Sequence, residues 1–269
     1  MISIRNIECK SVLTKSKISN YTLNCYVGCL HACVYCYARY MTRFTKHIEP
    51  WGQFVDVKIN SPDILEKELK RAQKGVVFMS SICDGWQQIE RKYRLSRQCL
   101  HLLVNNGFQV NILTKSVNVR DDFDTIRQGN VHLGVTITVM DDSLCRKIEP
   151  GASITRNRIR LLQDAADNGI RTWAFIGPFM PFLSDNMENI DAIFESLSKI
   201  KLDHVYFDQL NLRSGVWQSI KNFLSTSYPH LLGSYSKLLY DQSRREAYKE
   251  DIERLILKSA DKYAIKIMS

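Results

Sequence analysis

The sequence predicts an α/β fold built around a parallel sheet, and three observations indicate this class. Of the 269 residues, 45% are hydrophobic and 24% are charged, which is the balance of a folded globular protein. From residue 50 onward, β-rich runs alternate with helical patterns in a series of about six βα units. The tail from residue 235 is strongly helical. Parallel strands joined by right-handed helical crossovers form one sheet, either open or closed into a barrel.

The first half of the series predicts four strands and three helices. A helix follows the second strand, with Ser61 as its N-cap, Pro62 at its first position and Gly75 as its stop. Gly107 closes the next helix. The predicted strands span 21–27, 54–59, 76–82 and 108–115, and the later two helices cover 91–106 and 119–128.

The second half continues the same alternation. Strands are expected over 131–139, 171–179 and 204–212, with helices over 154–168, which ends at Gly169, and over 187–200. In folds of this kind, ligands bind where the strands end, at their carboxyl termini. The loops that follow the strands are therefore where functional residues are expected.

Composition and charge narrow the class of protein. No apolar run approaches the roughly 18 residues of a membrane span, and the first 17 residues lack a long apolar stretch and a cleavage site. We therefore expect a cytoplasmic protein with no membrane partner, while the oligomeric state stays open. The net charge of +9 permits an anionic partner such as nucleic acid.

Four of the eight cysteines fall close together, and three of them form the array CLHACVYC over residues 29–36. In a reducing compartment such an array indicates metal or cluster ligands rather than disulfides. Cys29, Cys33 and Cys36 can bind three irons of a 4Fe–4S cluster, which leaves the fourth iron open. The alternatives are a zinc site with His31 or Cys25 as the fourth ligand, or unligated thiols. We favour the iron–sulfur cluster.

The sequence around the array resembles the radical S-adenosylmethionine (SAM) superfamily, and in particular its spore photoproduct lyase-like branch. The resemblance extends over most of residues 8–200. It implies a partial (β/α)6 barrel over 21–212, between an N-terminal lead-in (1–20) and a helical C-terminal extension (213–269) that packs on the barrel. The resemblance is carried by five segments, NCYVGCLHACVYCYAR (24–39), FVDVKINSPDILEKEL (54–69), ERKYRLSRQCL (90–100), ILTKS (112–116) and IEPGASITRNRI (148–159).

The resemblance also implies a chemistry. SAM binds the open iron through its amino and carboxylate groups, and an electron donor such as flavodoxin or ferredoxin reduces the cluster. Reductive cleavage of SAM then yields a 5′-deoxyadenosyl radical that abstracts a hydrogen atom from a substrate. The cofactors carry that reaction, and the protein supplies geometry and protection from side reactions.

Several residues match positions near SAM in this family. Lys115 is expected to pair with the SAM carboxylate and Thr138 to bond the ribose, although Thr136 points to the same strand face and leaves the register open. Gly177 would let the backbone approach the adenine, and Tyr35 would contact SAM beside the cluster.

Other matches have weaker assignments. Tyr37 is expected to take part in radical transfer or to pack, and Tyr40 is expected to be structural. Glu149 and Arg158 form either a supporting ion pair or a contact to the methionine end of SAM, with the ion pair favoured.

The resemblance breaks at the end of the second barrel strand. There the lyase carries a hydrogen-donating cysteine where this chain has Ser81, and a cofactor-binding serine where it has Cys83. A hydroxyl is a poor hydrogen-atom donor, so strict photoproduct repair is in doubt. Cys83 is expected to donate hydrogen, contact SAM or pack, and Ser81 to contact SAM. Cys99 and Cys145 are interpreted as core residues, and Cys25 has no assigned role.

The substrate stays open between a nucleic-acid base or lesion and a small molecule or peptide. An alternative to the enzyme is a non-catalytic, zinc- or cluster-stabilised nucleic-acid-binding protein, and a scaffold that has lost its chemistry is a third possibility. Phosphate contacts would use basic residues near the strand ends. Three groups are candidates: Arg39, Arg43, Lys46 and His47; Arg91, Lys92, Arg94 and Arg97; and Arg156, Arg158 and Arg160.

Overall fold

The computed structural model describes residues 2–213 and 215–268 and is built around an eight-stranded sheet. The strands lie in the order β11-β10-β9-β8-β7-β6-β3-β2. All neighbours are parallel except β2, which pairs antiparallel with β3. The eleven strands of the described chain are β1 (Ser3–Ile7), β2 (Leu13–Lys15), β3 (Tyr21–Leu23), β4 (Tyr26–Val27), β5 (Phe54–Lys58), β6 (Val76–Met79), β7 (Gln109–Thr114), β8 (Val131–Ile137), β9 (Arg171–Ile176), β10 (His204–Phe207) and β11 (Ile267–Met268).

Helices connect the parallel strands and extend the C-terminal part. Short 3-10 helices cover Tyr37–Phe44, Val117–Asp122 and Pro229–Leu231. The α-helices are α1 (Ser61–Leu69), α2 (Glu90–Tyr93), α3 (Leu95–Asn105), α4 (Phe123–Gln128), α5 (Asp142–Ile148), α6 (Thr155–Asp167), α7 (Met187–Ser198), α8 (Val216–Ser227), α9 (Leu232–Tyr240) and α10 (Gln242–Lys262).

The main sheet holds the hydrophobic core. One register row runs across four strands through Leu23, Met79, Ile112 and Leu133, and all four side chains are buried. Strands buried on both faces show as continuous apolar runs, which is why the sequence predicted β6 to β9. The predicted α/β class with a mostly parallel sheet is confirmed.

The N-terminal strands differ from the prediction. The expected strand 21–27 is two strands: β3 lies in the main sheet, whereas β4 pairs antiparallel with β5 in a separate sheet of order β1-β5-β4. The chain crosses between the sheets at Asn24 and Cys25, whose carbonyls accept hydrogen bonds from the Lys58 side chain and backbone, at 2.9 Å and 3.1 Å. The alternation in 54–59 therefore marks a strand outside the main sheet.

Several element ends also differ. Asn60 rather than Ser61 is the N-cap of α1, which stops at Leu69, well before Gly75. The predicted helix 91–106 is broken at Arg94, which has a φ of +53°. The third predicted strand ends at Met79, because Ser80 adopts a φ of +77°. The strand β11, which the sequence did not predict, pairs with β10.

The topology collects the loops after β3, β6, β7, β8 and β9 at one edge of the main sheet, since parallel strands share their carboxyl ends. The outer strands β2 and β11 each have one partner, so this sheet has two edges. Among the described residues, no helix has the length and apolarity required to cross a bilayer.

Candidate functional site

The loop that carries the three cysteines is held by backbone contacts to the end of α5. The Val34 amide donates to the Ile148 carbonyl at 2.8 Å, and the Gly151 amide donates to the His31 carbonyl at 3.1 Å. A Cβ at Gly151 would overlap the carbonyl oxygen of Leu30. Glycine is therefore required in the EPG sequence because two backbones meet there.

The three thiols of this loop are free and shielded from solvent. Cys29 and Cys33 are buried and Cys36 is half-buried. Burial raises the pKa of all three, to about 12 for Cys33. Metal binding replaces the thiol proton, and soft thiolates match iron–sulfur chemistry. Three thiols on one short loop thus fit a cluster bound through three of its irons.

The two residues considered as a fourth zinc ligand have other partners. The Nδ1 atom of His31 lies 3.4 Å from the Asp84 carboxylate, and burial lowers the pKa of His31. The Sγ atom of Cys25 lies 3.6 Å from that of Cys99. In the described parts of the chain, no group of three or more His, Cys, Asp or Glu side chains is arranged around one metal position.

Lys115 lies beside the cysteine loop at the end of β7. Its ammonium is 5.7 Å from the centre of the Tyr35 ring and has no carboxylate within ion-pair distance among the described residues. Burial lowers the pKa of Lys115, but the nearby Cys33 and Glu149 raise it by more than burial lowers it. The pKa of Lys115 is therefore above its ordinary value. The site therefore holds a cation that can take an anionic partner.

Asp84 fixes the backbone that presents Lys115. Its carboxylate accepts from the Thr114 hydroxyl at 2.8 Å, the Lys115 amide at 2.7 Å and the Trp86 amide at 2.9 Å. Together with the His31 contact, these bonds join the loops after β6 and β7 to the cysteine loop.

Tyr35 belongs to a buried polar network with Thr138, Glu149 and Arg158. The Tyr35 hydroxyl lies 3.1 Å from the Thr138 hydroxyl and donates to Glu149. Arg158 pairs with the other Glu149 oxygen, and both side chains are fully buried. Burial alone would raise the pKa of Glu149, but Arg158 and Lys115 lower it to about 2. The structure thus contains the ion pair, and Thr138 is the threonine whose hydroxyl contacts Tyr35.

Gly177 adjoins this network at the end of β9. Its carbonyl is 3.4 Å from the Thr138 hydroxyl, and its φ is +99°. A Cβ there would lie 2.6 Å from the Asp208 carbonyl oxygen. A side chain is therefore excluded at this position by both conformation and space.

Asn24 joins Ser81 and Cys83. Its amide donates to the Ser81 hydroxyl at 2.9 Å, and its oxygen accepts from the Ile82 amide at 3.0 Å and lies 3.7 Å from the Cys83 sulfur. Tyr37 reaches the same place, since its hydroxyl donates to the Ser81 carbonyl. Burial raises the pKa of Cys83, so its thiol stays protonated at neutral pH.

Ser81 and Cys83 do not lie on one strand face, because β6 ends at Met79, before both of them. They come together through Asn24 instead. Two residues of the site were not predicted from the sequence: Asn24, and Gln87, whose side chain accepts from the Leu30 amide at 2.8 Å. The polar residues that follow β3 and β6 were the available signal, since they lie at the strand ends where sites are expected.

The chain is similar in sequence to proteins of several other organisms. The chain is 33% identical over 258 residues to an uncharacterized protein of Methanocaldococcus jannaschii, MJ0683, covering 95% of this chain and 92% of that one. It is 29% identical over 276 residues to the uncharacterized protein Rv2578c of Mycobacterium tuberculosis, covering 96% and 81%. It is also similar to the uncharacterized protein ORF301 of Acidianus two-tailed virus, at 28% identity, covering 78% and 73%.

Among solved structures, spore photoproduct lyase complexed with dinucleoside spore photoproduct superposes with a TM-score of 0.74. The match has 15% identity and covers 98% of this chain and 80% of the lyase. Streptococcus suis SuiB bound to S-adenosylmethionine gives a TM-score of 0.54 at 10% identity, covering 77% and 48%. At these identities the superpositions show a shared fold. The model of the radical SAM superfamily matches residues 23–197, so the chain belongs to the radical SAM superfamily.

Proposed function

We propose that this protein binds a 4Fe–4S cluster and SAM, cleaves SAM reductively and abstracts a hydrogen atom from a substrate. The observation that carries the proposal is the position of Lys115, an ammonium without a carboxylate partner in the described chain, beside three free thiols of one loop. Thiolates suit the cluster, and an ammonium suits the SAM carboxylate. When bound, the cluster and SAM supply a 5′-deoxyadenosyl radical after one-electron reduction.

The cofactor-binding roles follow the positions of the side chains. Cys29, Cys33 and Cys36 hold the cluster. Lys115 binds the SAM carboxylate, and Tyr35 lies beside it with its hydroxyl fixed by the Glu149 network.

Thr138 and Gly177 adjoin each other at the ends of β8 and β9. We assign them to the ribose and the adenine of SAM, respectively. Both atoms that would make these contacts, a hydroxyl and a backbone carbonyl, are already held in place by the surrounding structure.

Ser81 and Cys83 follow the end of β6, and the Tyr37 hydroxyl reaches them through the Ser81 carbonyl. Tyr37 and Cys83 are proposed to face the reacting substrate. Asn24 orients the Ser81 hydroxyl and the Cys83 thiol. A protonated thiol can return a hydrogen atom, and Tyr37 touches the same backbone. We therefore assign hydrogen return to Cys83 and radical relay to Tyr37, with Ser81 as a contact to SAM.

The proposal includes a partial (β/α)6 barrel over residues 21–212, with residues 213–269 packed on it, and an external electron donor such as flavodoxin or ferredoxin. It is supported by six parallel strands in sequential order from β3 to β10. A reductant is required because cleavage of SAM consumes an electron.

The decisive experiment is anaerobic reconstitution with iron and sulfide, followed by dithionite and SAM. We expect a brown protein that forms 5′-deoxyadenosine, quantified by chromatography. Cys33→Ala should lose both the iron and the product, whereas Cys9→Ala, at a half-buried cysteine in the N-terminal region, should retain them. A fully loaded cluster that never cleaves SAM would overturn the enzymatic proposal, and zinc in place of iron would favour the binding protein.

A further inference from the structure

The 3-10 helix Tyr37–Phe44 begins directly after Cys36 and forms part of a cavity of about 340 Å³. Trp51 also lines the cavity, and its neighbour Gly52 packs against Ala32 in the cysteine loop. The cavity therefore borders the proposed cluster on the Cys36 side. We call it the arginine pocket, and it is lined by Arg39, Tyr40, Thr42, Arg43, Trp51 and Gly215.

Arginine side chains at this pocket stack on aromatic rings. The guanidinium of Arg43 lies 5.5 Å from the ring centre of Tyr40 and 4.7 Å from that of Phe44. The guanidinium of Arg213 lies 5.3 Å from the Tyr40 ring and 5.8 Å from the Tyr37 ring. Stacking engages the face of a guanidinium and leaves its N–H edge free for a planar, bidentate acceptor.

Arg39 adds an unsatisfied donor to the same pocket. Its Nη2 atom donates to the Cys33 carbonyl at 2.9 Å, but its buried Nε atom has no partner within the described residues. A buried donor without an acceptor is costly. An anion in the pocket would supply the acceptor that Arg39 lacks.

Several of the other arginines near the strand ends are already paired with carboxylates. Arg97 pairs with Asp122 at 3.2 Å, Arg156 pairs with Asp142, and Arg158 pairs with Glu149. By contrast, Arg39, Arg43 and Arg213 have no carboxylate within ion-pair distance in the described chain. Their charge is therefore available to an external ligand.

Exposed rings beside the cations indicate what kind of anion fits. Phe44 is 66% exposed and Tyr37 is 37% exposed, so both rings are accessible to a ligand beside these cations. Cations alternating with aromatic faces are typical of surfaces that bind unpaired nucleic acid, where rings stack on bases and arginines hold phosphates. An acidic peptide would use the cations but leave the rings without partners.

We propose that the arginine pocket and Arg213 bind a phosphodiester of a single-stranded or locally unpaired nucleic acid, with a base stacked on the exposed ring of Phe44. The inference rests on the proposed function in one respect: the bound strand is the substrate. Tyr37 connects the two regions, since its ring contacts Arg213 and its hydroxyl bonds the Ser81 carbonyl. A strand held in the pocket therefore lies next to Tyr37 and the end of β6.

The test measures binding of fluorescein-labelled 12-nucleotide DNA and RNA single strands to the reconstituted protein by anisotropy, at several salt concentrations. Each phosphate contact contributes a slope of about 0.7 in log K against log salt on single strands. Arg43→Gln and Arg213→Gln should each lower that slope by about 0.7, which corresponds to about fivefold weaker binding at 0.1 M salt. Arg71→Gln removes the same charge from an exposed site just beyond α1 and should lower neither the slope nor the affinity to this extent.

The outcomes separate the pocket from the chemistry. Weak or absent strand binding, an unchanged slope in both variants, or equal arginine-dependent binding of a poly-glutamate peptide would overturn the inference. The same preparations are assayed for 5′-deoxyadenosine without any strand. Formation of 5′-deoxyadenosine without arginine-dependent strand binding would contradict strand binding at the arginine pocket and leave the proposed function intact. Strand binding without 5′-deoxyadenosine would contradict the proposed function and leave the pocket as a binding site.

Discussion

The two sides of the cysteine loop differ in how completely their polar groups are satisfied. On the Cys33 side, Tyr35, Glu149 and Arg158 form a network in which each charge has a buried partner. On the Cys36 side, Arg39 and Arg43 have no carboxylate partner in the described chain, and the adjacent aromatic rings are open to solvent. We call the Cys33 side the closed side, because its charges are paired, and the Cys36 side the open side.

The two sides differ in the way expected for two kinds of ligand, a small cofactor and a large partner. A low-polarity site for a small cofactor needs groups that are already fixed, because fixed dipoles and charges cost no reorganisation when the ligand binds. A surface that receives a large partner must instead keep its cations and rings free until the partner arrives. We infer that the Cys33 side serves cofactor chemistry and the Cys36 side serves substrate capture.

The largest effect should come from breaking the closed side at Arg158. Arg158→Met leaves Glu149 as a buried charge without its partner, and losing one partner of such a pair costs about 3–5 kcal/mol. For a domain of this size we expect the Tm of the protein to fall by about 10 °C, measured by scanning calorimetry of the apoprotein.

The control for this experiment lies on the same helix. Arg156 pairs with Asp142, but its side chain is 73% exposed, and exposed pairs contribute at most about 1 kcal/mol. Arg156→Gln should therefore shift the Tm far less. Equal shifts in the two variants would contradict the view that the Glu149 pair is buried and essential.

A smaller effect is expected at Glu90, the first residue of α2. Its carboxyl accepts from the Tyr26 hydroxyl and from the Arg97 amide, and burial raises its pKa from 4.5 to about 7. The folded protein therefore holds a proton that the unfolded chain releases between these values. This contribution to stability is complete below pH 4.5 and is lost as the pH rises through 7.

The measurement is the free energy of urea unfolding at pH 5 and pH 8 for the natural protein and for Glu90→Gln, whose amide stays neutral. Between these pH values the natural protein should lose about 2 kcal/mol more than the variant. Parallel pH profiles for the two proteins would show that Glu90 titrates normally.

The sequence predicted the parts of the fold that depend on local pattern. Strands β7 to β9 and helices α6 and α7 were predicted, because apolar periodicity in the sequence identifies such elements directly. The pairing of β5 with β1 and β4 could not be predicted, since 54–59 shows a strand but not its partners. Neither could the break at Asn24, whose cause is a set of contacts from residues far along the chain.

The candidate site likewise has features that can be predicted from the local sequence and features that depend on the fold. The cysteine spacing is local and indicates its chemistry at once. Whether an arginine is paired or free is not local: Arg97 and Arg39 look alike in the sequence, yet only Arg97 meets a carboxylate in the described chain. The distinction between the two sides of the loop therefore emerges only from the structure.

Lys115 lies beside Tyr35 of the cysteine loop and should affect cofactor affinity more than the stability of the fold. Lys115→Met removes a charge-assisted contact to the SAM carboxylate, and such contacts contribute enough for a weakening of about tenfold or more. Equilibrium dialysis of labelled SAM against the anaerobically reconstituted protein measures it. Lys147, whose ammonium lies 5.3 Å from the Tyr228 ring, is a matched control, and Lys147→Met should bind SAM normally.

The smallest effect is expected on the open side, and its small size is itself informative. Arg43 and Arg213 are exposed and have no carboxylate partners in the described chain, so Arg43→Gln/Arg213→Gln removes no ion pair that folding requires. Surface substitutions of this kind change the free energy of unfolding by about 0.5 kcal/mol or less. Reduced repulsion in a protein of charge +9 would move it upward. Urea unfolding of the double variant measures the change. A loss of several kcal/mol would show that these arginines hold the fold together, and the contrast between the closed and open sides would fail.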